Sequence, residues 1–166
     1  MNDLPLIETW EQLAAVLPPF LVRCGTAALC GAMIGLEREL KRKPAGFRTN
    51  ILICVGAAIY MSVGLLVVNA GGQPGDPARI AAQVVTGIGF LGAGSIIQAG
   101  GAVIGLTTAA TIWVVAGIGL VAGAGFPLLA VCASLLVLLT LVVLGRFEKR
   151  VLESDAGYRD PTPKTH

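Results

Sequence analysis

Residues 80–145 read IAAQVVTGIGFLGAGSIIQAGGAVIGLTTAATIWVVAGIGLVAGAGFPLLAVCASLLVLLTLVVLG and contain no Asp, Glu, Lys, Arg or His. Soluble chains carry about 25% charged residues, whereas charged residues make up 13% of this 166-residue chain and hydrophobic residues make up 55%. The mean hydropathy of the chain is +0.79. The uncharged stretch is long enough to cross a bilayer more than once, because one helical crossing takes about 20 residues. The sequence therefore predicts an integral membrane protein.

Glycines, prolines and charged residues divide the apolar sequence into five runs. The predicted spans are residues 19–36, 51–69, 80–98, 106–124 and 126–145. At about 1.5 Å per residue, such runs reach close to the ~30 Å thickness of the hydrocarbon core. Backbone groups in lipid must be hydrogen-bonded internally, so glycine-rich runs of this length favour helices over barrel strands. The sequence predicts an all-α, five-helix transmembrane domain over residues 19–145, between an extracytoplasmic segment of residues 1–18 and a short tail of residues 146–166.

Basic residues are distributed unevenly between the connections. The connection between the first two runs carries Arg38, Lys41, Arg42, Lys43 and Arg48, and the tail carries Arg146, Lys149, Arg150, Arg159 and Lys164. The first 22 residues carry no Lys or Arg, and the connection of residues 70–79 carries only Arg79. Cytoplasmic connections of membrane proteins carry an excess of Lys and Arg. We therefore expect the N-terminus outside the cell and the C-terminus in the cytoplasm.

The remaining composition excludes several classes of function. The formal net charge is +2, and no strongly basic tract with interleaved aromatic residues is present, so nucleic-acid binding is not expected. The cysteines lack the spacing of a zinc site, and the single histidine is the last residue, His166. No nucleophile can be paired with a base from the sequence. We therefore expect neither an enzyme nor a bound cofactor, and the sequence assigns no metal ligands.

Polar residues form a stripe at the start of the third run. Asp76 is followed directly by a proline, a pattern typical of a helix N-cap. Asp76, Arg79 and Gln83 follow one another at intervals of three and four residues, so they lie on one helix face. Arg23 lies a few residues inside the first run, where an unpaired arginine is costly. We therefore expect an ion pair between Arg23 and Asp76, in either a structural clasp or an outward-facing ligand site.

A second polar group is expected at the cytoplasmic ends of the spans. Its candidate residues are Glu37, Arg38, Arg48, Thr49 and Asn50 around the first connection, and Thr107 and Thr108 at the start of the fourth run. Arg38 fits the ordinary role of a cation that anchors the cytoplasmic side. Glu37 and Arg48 each lie at the edge of an apolar run, where a charge needs a partner. The hypothesis is a Glu37–Arg48 ion pair backed by the threonine hydroxyls.

Glycines recur in the third and fourth runs. Residues 87–92 match the GxGxxG pattern of dinucleotide-binding proteins, which requires a preceding strand and an acidic residue about 20 positions later. This copy lies in the middle of an uncharged apolar run. Because glycine lets helix backbones approach closely in lipid, helix packing is favoured over nucleotide binding or a transport-type repeat. The candidate packing glycines are Gly87, Gly89, Gly92, Gly94, Gly117 and Gly119, with small-xxx-small pairs at Gly31/Gly35, Gly101/Gly105 and Gly119/Gly123.

Four blocks of the sequence resemble the MgtC/SapB family of bacterial membrane proteins. The blocks are GLERE at 35–39, AGFRTN at 45–50, DPARIAAQVVTGIGFLGAG at 76–94, and GLTTAA at 105–110 with Trp113 following. They fall within residues 27–125, and the third block is long enough to be specific. The resemblance implies a five-span, multi-pass protein of the bacterial inner membrane, linked to growth under magnesium limitation. Because the chain stops before the ACT-like domain of longer members, it resembles the short form.

The resemblance also implies how such a protein acts. Members of the family are thought to bind other membrane proteins, and the rotary ATP synthase is one suggested target. Direct magnesium transport is the alternative, with Asp76, Arg79 and Gln83 on the outer side and the cytoplasmic polar group on the inner side. Magnesium is usually held by one or two carboxylates and retains several waters, whereas Glu37 and Asp76 lie at opposite sides, each beside an arginine. We therefore expect a partner-binding factor that forms a homodimer, with a magnesium or other small-ion transporter or channel as the alternative.

Overall fold

The computed structural model of the protein describes residues 9–70, 76–99 and 102–156. Its elements in chain order are α1 (Trp10–Leu40), α2 (Phe47–Ala70), α3 (Pro77–Gly94), β1 (Ile97–Ala99), β2 (Ala102–Ile104), α4 (Leu106–Gly123) and α5 (Pro127–Ala156). The predicted all-α class is confirmed except for the short hairpin formed by β1 and β2. The first eight residues and the end of the predicted tail, residues 157–166, lie outside the described residues.

Four of the described helices are long and apolar enough to cross a membrane. These helices are α1, α2 up to Asn69, α4, and α5 up to Phe147. They show that the chain is a multi-pass membrane protein. α3 is not among these four: its 18 residues reach about 27 Å at 1.5 Å per residue, and Arg79 and Gln83 lower its hydropathy. A crossing by α3, and with it the count of five spans, stays a prediction.

α1 begins nine residues before the predicted first span. Thr9 caps this helix, because its side chain accepts a hydrogen bond from the backbone N–H of Gln12 at 3.3 Å. Pro19, the predicted first residue of the first span, lies inside α1, and so does Pro18. Each proline removes only one backbone donor, and the helix continues through both. Residues 10–18 are therefore helical rather than lying outside the first helix.

The third helix ends four residues before its predicted limit. The backbone N–H and the hydroxyl of Ser95 both donate to the carbonyl of Gly92, at 3.0 and 2.7 Å. Such local bonds compete with continuation of a helix. The chain then turns into the antiparallel hairpin, in which Ile97 pairs with Ile104.

Gly105 connects the hairpin to α4 in a conformation that favours glycine. Its φ is +98°, in the left-handed region, and a Cβ at this position would overlap the backbone carbonyl oxygen of Ser95. Gly105 was predicted to form a small-xxx-small packing pair with Gly101. It is instead a turn residue, and Gly101 lies outside the described residues.

Substitution of Gly105 by alanine is expected to lower the free energy of unfolding by about 1–3 kcal/mol, because a side chain strains this backbone. Gly117→Ala is the matched control, since it lies within α4 and a Cβ there meets no atom within 4 Å. The measurement is the thermal unfolding midpoint of each purified variant in the same detergent. Equal midpoints for both variants would contradict the proposed strain.

α2 contacts both α1 and α4 at glycines. A Cβ at Gly31 would lie 2.9 Å from Ile51 Cα, and a Cβ at Gly35 would lie 2.9 Å from Phe47 Cα. On the other side, a Cβ at Gly123 would lie 2.5 Å from the carbonyl oxygen of Ala58. These distances are shorter than real Cβ contacts, so only glycine permits this spacing of the helices. The Gly31/Gly35 and Gly119/Gly123 pairs thus lie where the helix backbones approach most closely.

The same contacts give the directions of the helices. α1 and α2 are antiparallel, since Gly35 meets the first residue of α2 and Gly31 meets the next turn. α4 runs parallel to α2, because Gly119 faces Cys54 and Gly123 faces Ala58. One end of the bundle therefore gathers the end of α1, the α1–α2 connection of residues 41–46, and the starts of α2 and α4 with the hairpin. We call it the basic end, after its Lys and Arg residues.

Candidate functional site

Glu37 forms a buried charged cluster at the basic end. Its Oε2 accepts a hydrogen bond from Nε of Arg38 at 2.6 Å, and its Oε1 lies 2.6 Å from Nζ of Lys41. Glu37 is 8% exposed and Arg38 is 3% exposed. Lys41 also donates to the backbone carbonyl of Leu141 at 3.1 Å. The cluster therefore neutralises one carboxylate with two cations and joins α1 to α5.

The predicted ion pair between Glu37 and Arg48 is not formed. Lys41 lies one helical turn after Glu37 and reaches the same carboxylate. Arg48 is exposed and makes no ion pair with any residue that the structure describes. Together with exposed Thr49 it lines a shallow pocket between the end of α1 and the start of α2. Arg38, expected as an ordinary surface anchor, is instead almost fully buried.

Asn50 is fully buried and holds the α1–α2 connection. Its Nδ2 donates to the carbonyls of Ala45 and Gly46 at 2.6 and 2.8 Å. Glu39 completes the turn, since its Oε2 accepts from the N–H of Phe47 at 2.9 Å and caps the start of α2. The Oδ1 atom of Asn50 is buried without a hydrogen-bond partner in the described structure. These contacts show that Asn50 stabilises the turn.

The threonines at the start of α4 occupy the same end of the bundle but differ in exposure. Thr108 is buried, whereas Thr107 is exposed. The carbonyl of Thr107 accepts a hydrogen bond from the hydroxyl of Thr111 at 2.7 Å. Within the described ranges, no hydrogen bond connects Thr107 or Thr108 to the Glu37 cluster. The structure thus brings the predicted residues to one end without the predicted threonine support.

The predicted ion pair between Arg23 and Asp76 is also not formed. Arg23 Nη1 donates to the carbonyl of Gly123 at 3.2 Å, at the C-terminal end of α4. The last carbonyls of a helix lack intrahelical donors and carry partial negative charge, so they suit a cation. Asp76 caps α3 instead, since its Oδ1 accepts from the N–H of Ala78 at 2.9 Å.

A groove of about 860 Å³ lies between α2 and α3, with α4 behind it. We call it the α2–α3 groove. It is lined by Leu52, Ile53, Gly56, Ala57, Tyr60, Asp76, Arg79, Ile80, Gln83, Val84, Gly87, Ile88, Leu91 and Ala116. The predicted stripe of Asp76, Arg79 and Gln83 therefore lies in one groove, where Tyr60 joins it. Tyr60 was not predicted as a site residue, because nothing in its own apolar run marks it as a neighbour of this stripe.

The candidate packing glycines differ in how closely they approach neighbouring helices. A Cβ at Gly119 would overlap the carbonyl oxygen of Cys54, and a Cβ at Gly92 would lie 3.6 Å from the carbonyl oxygen of Ala109. At the other four candidates a Cβ would meet no atom within 4 Å, namely Gly87, Gly89, Gly94 and Gly117. Close helix packing through these four is not seen within this chain. Gly87 instead widens the α2–α3 groove.

Comparison with known proteins identifies the family. The model of the MgtC family matches residues 25–150. YhiD of Escherichia coli strain K12, described as a putative magnesium transporter, is 44% identical over 140 residues, or 82% of this chain and 65% of the relative. Protein MgtC of Salmonella typhimurium strain LT2 is 41% identical over 133 residues, or 80% of this chain and 55% of the relative.

A Haemophilus influenzae protein is 47% identical over 121 residues, or 69% of this chain and 51% of the relative. The chain thus spans about half to two thirds of the length of these relatives. No solved structure matches it. The family model covers more than half of the chain, and the MgtC and YhiD relatives exceed 40% identity over most of it. The chain therefore belongs to the MgtC family.

Proposed function

We propose that this protein is a membrane factor of the bacterial inner membrane that supports growth at low magnesium by binding another membrane protein. Membership of the MgtC family and similarity to YhiD, named as a putative magnesium transporter, indicate a magnesium-related role. The observation that carries the partner-binding mechanism is the exposed hairpin at the basic end. The proposal includes the predicted orientation, with the basic end in the cytoplasm. A homodimer remains a prediction.

The hairpin exposes apolar side chains on both of its faces. Ile97 and Ile104 pair across one face and are 60% and 58% exposed, and Val103 on the other face is 52% exposed. In the described part of the chain each strand pairs only with the other, so each has a free edge. Because unpaired backbone groups are not tolerated in the hydrocarbon region, the proposal puts the hairpin in the interfacial or aqueous layer. Exposed apolar side chains in that layer favour a protein partner.

Thr107 extends this surface into the start of α4. It is exposed and follows the hairpin by three residues, after the turn at Gly105. A free strand edge can pair with an extended segment of another protein, and the alternating side chains then give specificity. We therefore define the hairpin surface as Ile97, Val103, Ile104 and Thr107 and propose it as the partner-binding surface.

The contacts at Glu37 support partner binding over ion transport. A carboxylate that passes an ion along a pathway has to exchange its partners, whereas Glu37 is engaged by Arg38 and Lys41. Among the described residues, no three His, Cys, Asp or Glu side chains lie close enough to hold a metal ion. Asp76 supplies the carboxylate of the α2–α3 groove, where it caps α3 and lines the groove together with Arg79.

Site-specific photocrosslinking tests the hairpin surface in cells grown at low magnesium. A photoreactive phenylalanine analogue replaces Val103 in one strain and Leu139 on α5 in another; Leu139 has a similar exposure of 59%. We expect a crosslinked protein adduct at position 103 and only lipid adducts at position 139. The rotary ATP synthase is the first candidate against which the adduct is checked. Protein adducts of equal yield at both positions would contradict a specific surface.

Substitution at the same surface connects binding to growth. The Ile97→Ser/Ile104→Ser variant is expected to lose the growth advantage at low magnesium, and Leu139→Ser is expected to keep it. Magnesium transport, the alternative function, is tested by measuring magnesium uptake into liposomes that hold a magnesium-sensitive dye. The unsubstituted protein is compared with Glu37→Ala and Asp76→Ala. Protein-dependent magnesium flux that either substitution abolishes would favour the transporter over the partner-binding factor.

A further inference from the structure

We propose that the α2–α3 groove binds one phospholipid molecule whose headgroup carries both an ammonium and a phosphate. The charged end of this groove lies away from the hairpin surface, and the proposal does not depend on the proposed function. Its support comes from three observations: the charges at one end of the groove, the length of its apolar part, and the open space beside two of its glycines.

The charged end of the groove presents one carboxylate and one guanidinium. Asp76 caps α3 and Arg79 lies in its first turn; both residues line the groove, and both are exposed. Neither forms an ion pair with the other or with another described residue. The carboxylate of Asp76 uses Oδ1 to cap Ala78, which leaves Oδ2 for a ligand. The groove therefore offers two separate, opposite charges.

A zwitterionic headgroup complements both charges at once. Its phosphate can accept charge-assisted hydrogen bonds from the Arg79 guanidinium, and its ammonium can lie against the Asp76 carboxylate. A purely anionic headgroup satisfies Arg79 but places a second negative charge near Asp76, which is unfavourable. Gln83, one turn further along the groove, is exposed and makes no hydrogen bond in the described structure, so its amide can reach the ester groups.

The apolar part of the groove has the length of one leaflet. Its lining on α3 extends from Ile80 to Leu91, or about 16 Å at 1.5 Å per residue. This is close to half of the ~30 Å hydrocarbon core. A transmembrane helix seated in the groove would follow the whole core, whereas an acyl chain follows only one leaflet. The length therefore favours a lipid over a helix of a second copy or of another protein.

Two glycines keep the groove open. A Cβ at Gly56 on α2 or at Gly87 on α3 meets no atom within 4 Å, and both residues line the groove. A larger side chain at either position would occupy the space of the acyl chain without displacing the protein. Because of this open space, a larger residue at either glycine is expected to block the groove while the protein still folds.

Native mass spectrometry of the full chain, released from nanodiscs, measures the bound lipid. The nanodiscs contain equal amounts of phosphatidylethanolamine and phosphatidylglycerol. We expect one phosphatidylethanolamine to be retained per chain, enriched about tenfold over phosphatidylglycerol. One charge-assisted hydrogen bond corresponds to about this difference in affinity. Asp76→Asn keeps the cap oxygen and removes the charge, so the enrichment is expected to disappear while total lipid retention stays. Equal retention of both lipids by the unsubstituted protein overturns the proposal.

A groove-filling variant separates the site from general lipid contact. Gly87→Leu is expected to lower retention about tenfold, because the side chain occupies the volume of the acyl chain. Gly89→Leu is the matched control, since it lies on the same helix, has the same open space, and does not line the groove. Circular dichroism checks that both variants are folded. Equal loss in both variants, or a second protein chain retained in place of the lipid, overturns the proposal.

Discussion

Substitution of Glu37 by alanine is expected to lower the free energy of unfolding by about 3–5 kcal/mol, the cost of removing one partner of a buried ion pair. Arg38 is 3% exposed and would lose the carboxylate that its Nε contacts at 2.6 Å. Lys41 is more exposed and can turn towards solvent. The expected loss of stability therefore comes mainly from the charge of Arg38, which would remain buried without its partner.

Unfolding of purified variants in detergent, followed by circular dichroism, measures this change. Arg48→Ala is the matched control, and its effect is expected to stay within about 0.5 kcal/mol, as for other exposed positions. The double variant Glu37→Leu/Arg38→Leu is expected to recover most of the loss, since apolar residues of similar size often replace a buried ion pair at little cost. Equal losses in Glu37→Ala and Arg48→Ala would instead support the Glu37–Arg48 pair that the sequence suggested.

Gly119→Val is expected to lower the free energy of unfolding by about 3 kcal/mol, the upper part of the usual range for an overfilled core. A Cβ at Gly119 overlaps the carbonyl oxygen of Cys54 and lies 2.9 Å from Cβ of Ala57. Because the nearest atom belongs to the backbone of α2, no side-chain rotation relieves the overlap. α2 and α4 must move apart.

Gly117→Val separates the steric effect from the helix propensity of valine. Gly117 lies on the same helix, two residues away, and a Cβ there meets no atom within 4 Å. The change in the unfolding midpoint is therefore expected to be small for Gly117→Val and large for Gly119→Val. Similar midpoints for the two variants would show that α2 and α4 are less tightly packed than the structure indicates.

The helices of the core could be predicted from local sequence patterns. The five apolar runs each contain a helix, because length and hydropathy alone favour helices in lipid. The Gly31/Gly35 and Gly119/Gly123 pairs followed from the i, i+4 spacing, which places both glycines on one face. Gly87 and Gly117 have similar neighbours in the sequence but lie beside open space. Local sequence does not specify which face of a helix meets another helix.

The sequence contains a signal for the hairpin. Gly100 and Gly101 separate two short apolar segments, a pattern typical of a β-hairpin, but the lack of charge favoured a longer helix. The partners of the charged residues were harder to predict. Lys41 follows Glu37 at the i, i+4 interval, which is a usable signal. The acceptor of Arg23 is a backbone carbonyl, and no residue type in the sequence marks that atom.

Arg23 of α1 and Lys41, which directly follows α1, make contacts that can form only late in membrane insertion. Arg23 donates to Gly123, and Lys41 donates to Leu141, and each pair is separated by 100 residues in the chain. When α1 leaves the ribosome, neither acceptor has been synthesised. An arginine at the centre of a membrane-spanning helix costs about 2.5–3.5 kcal/mol on the insertion scale, so we expect Arg23 of nascent α1 to be sheltered by the translocon or by lipid headgroups. The first helix made is therefore among the last to reach its final environment.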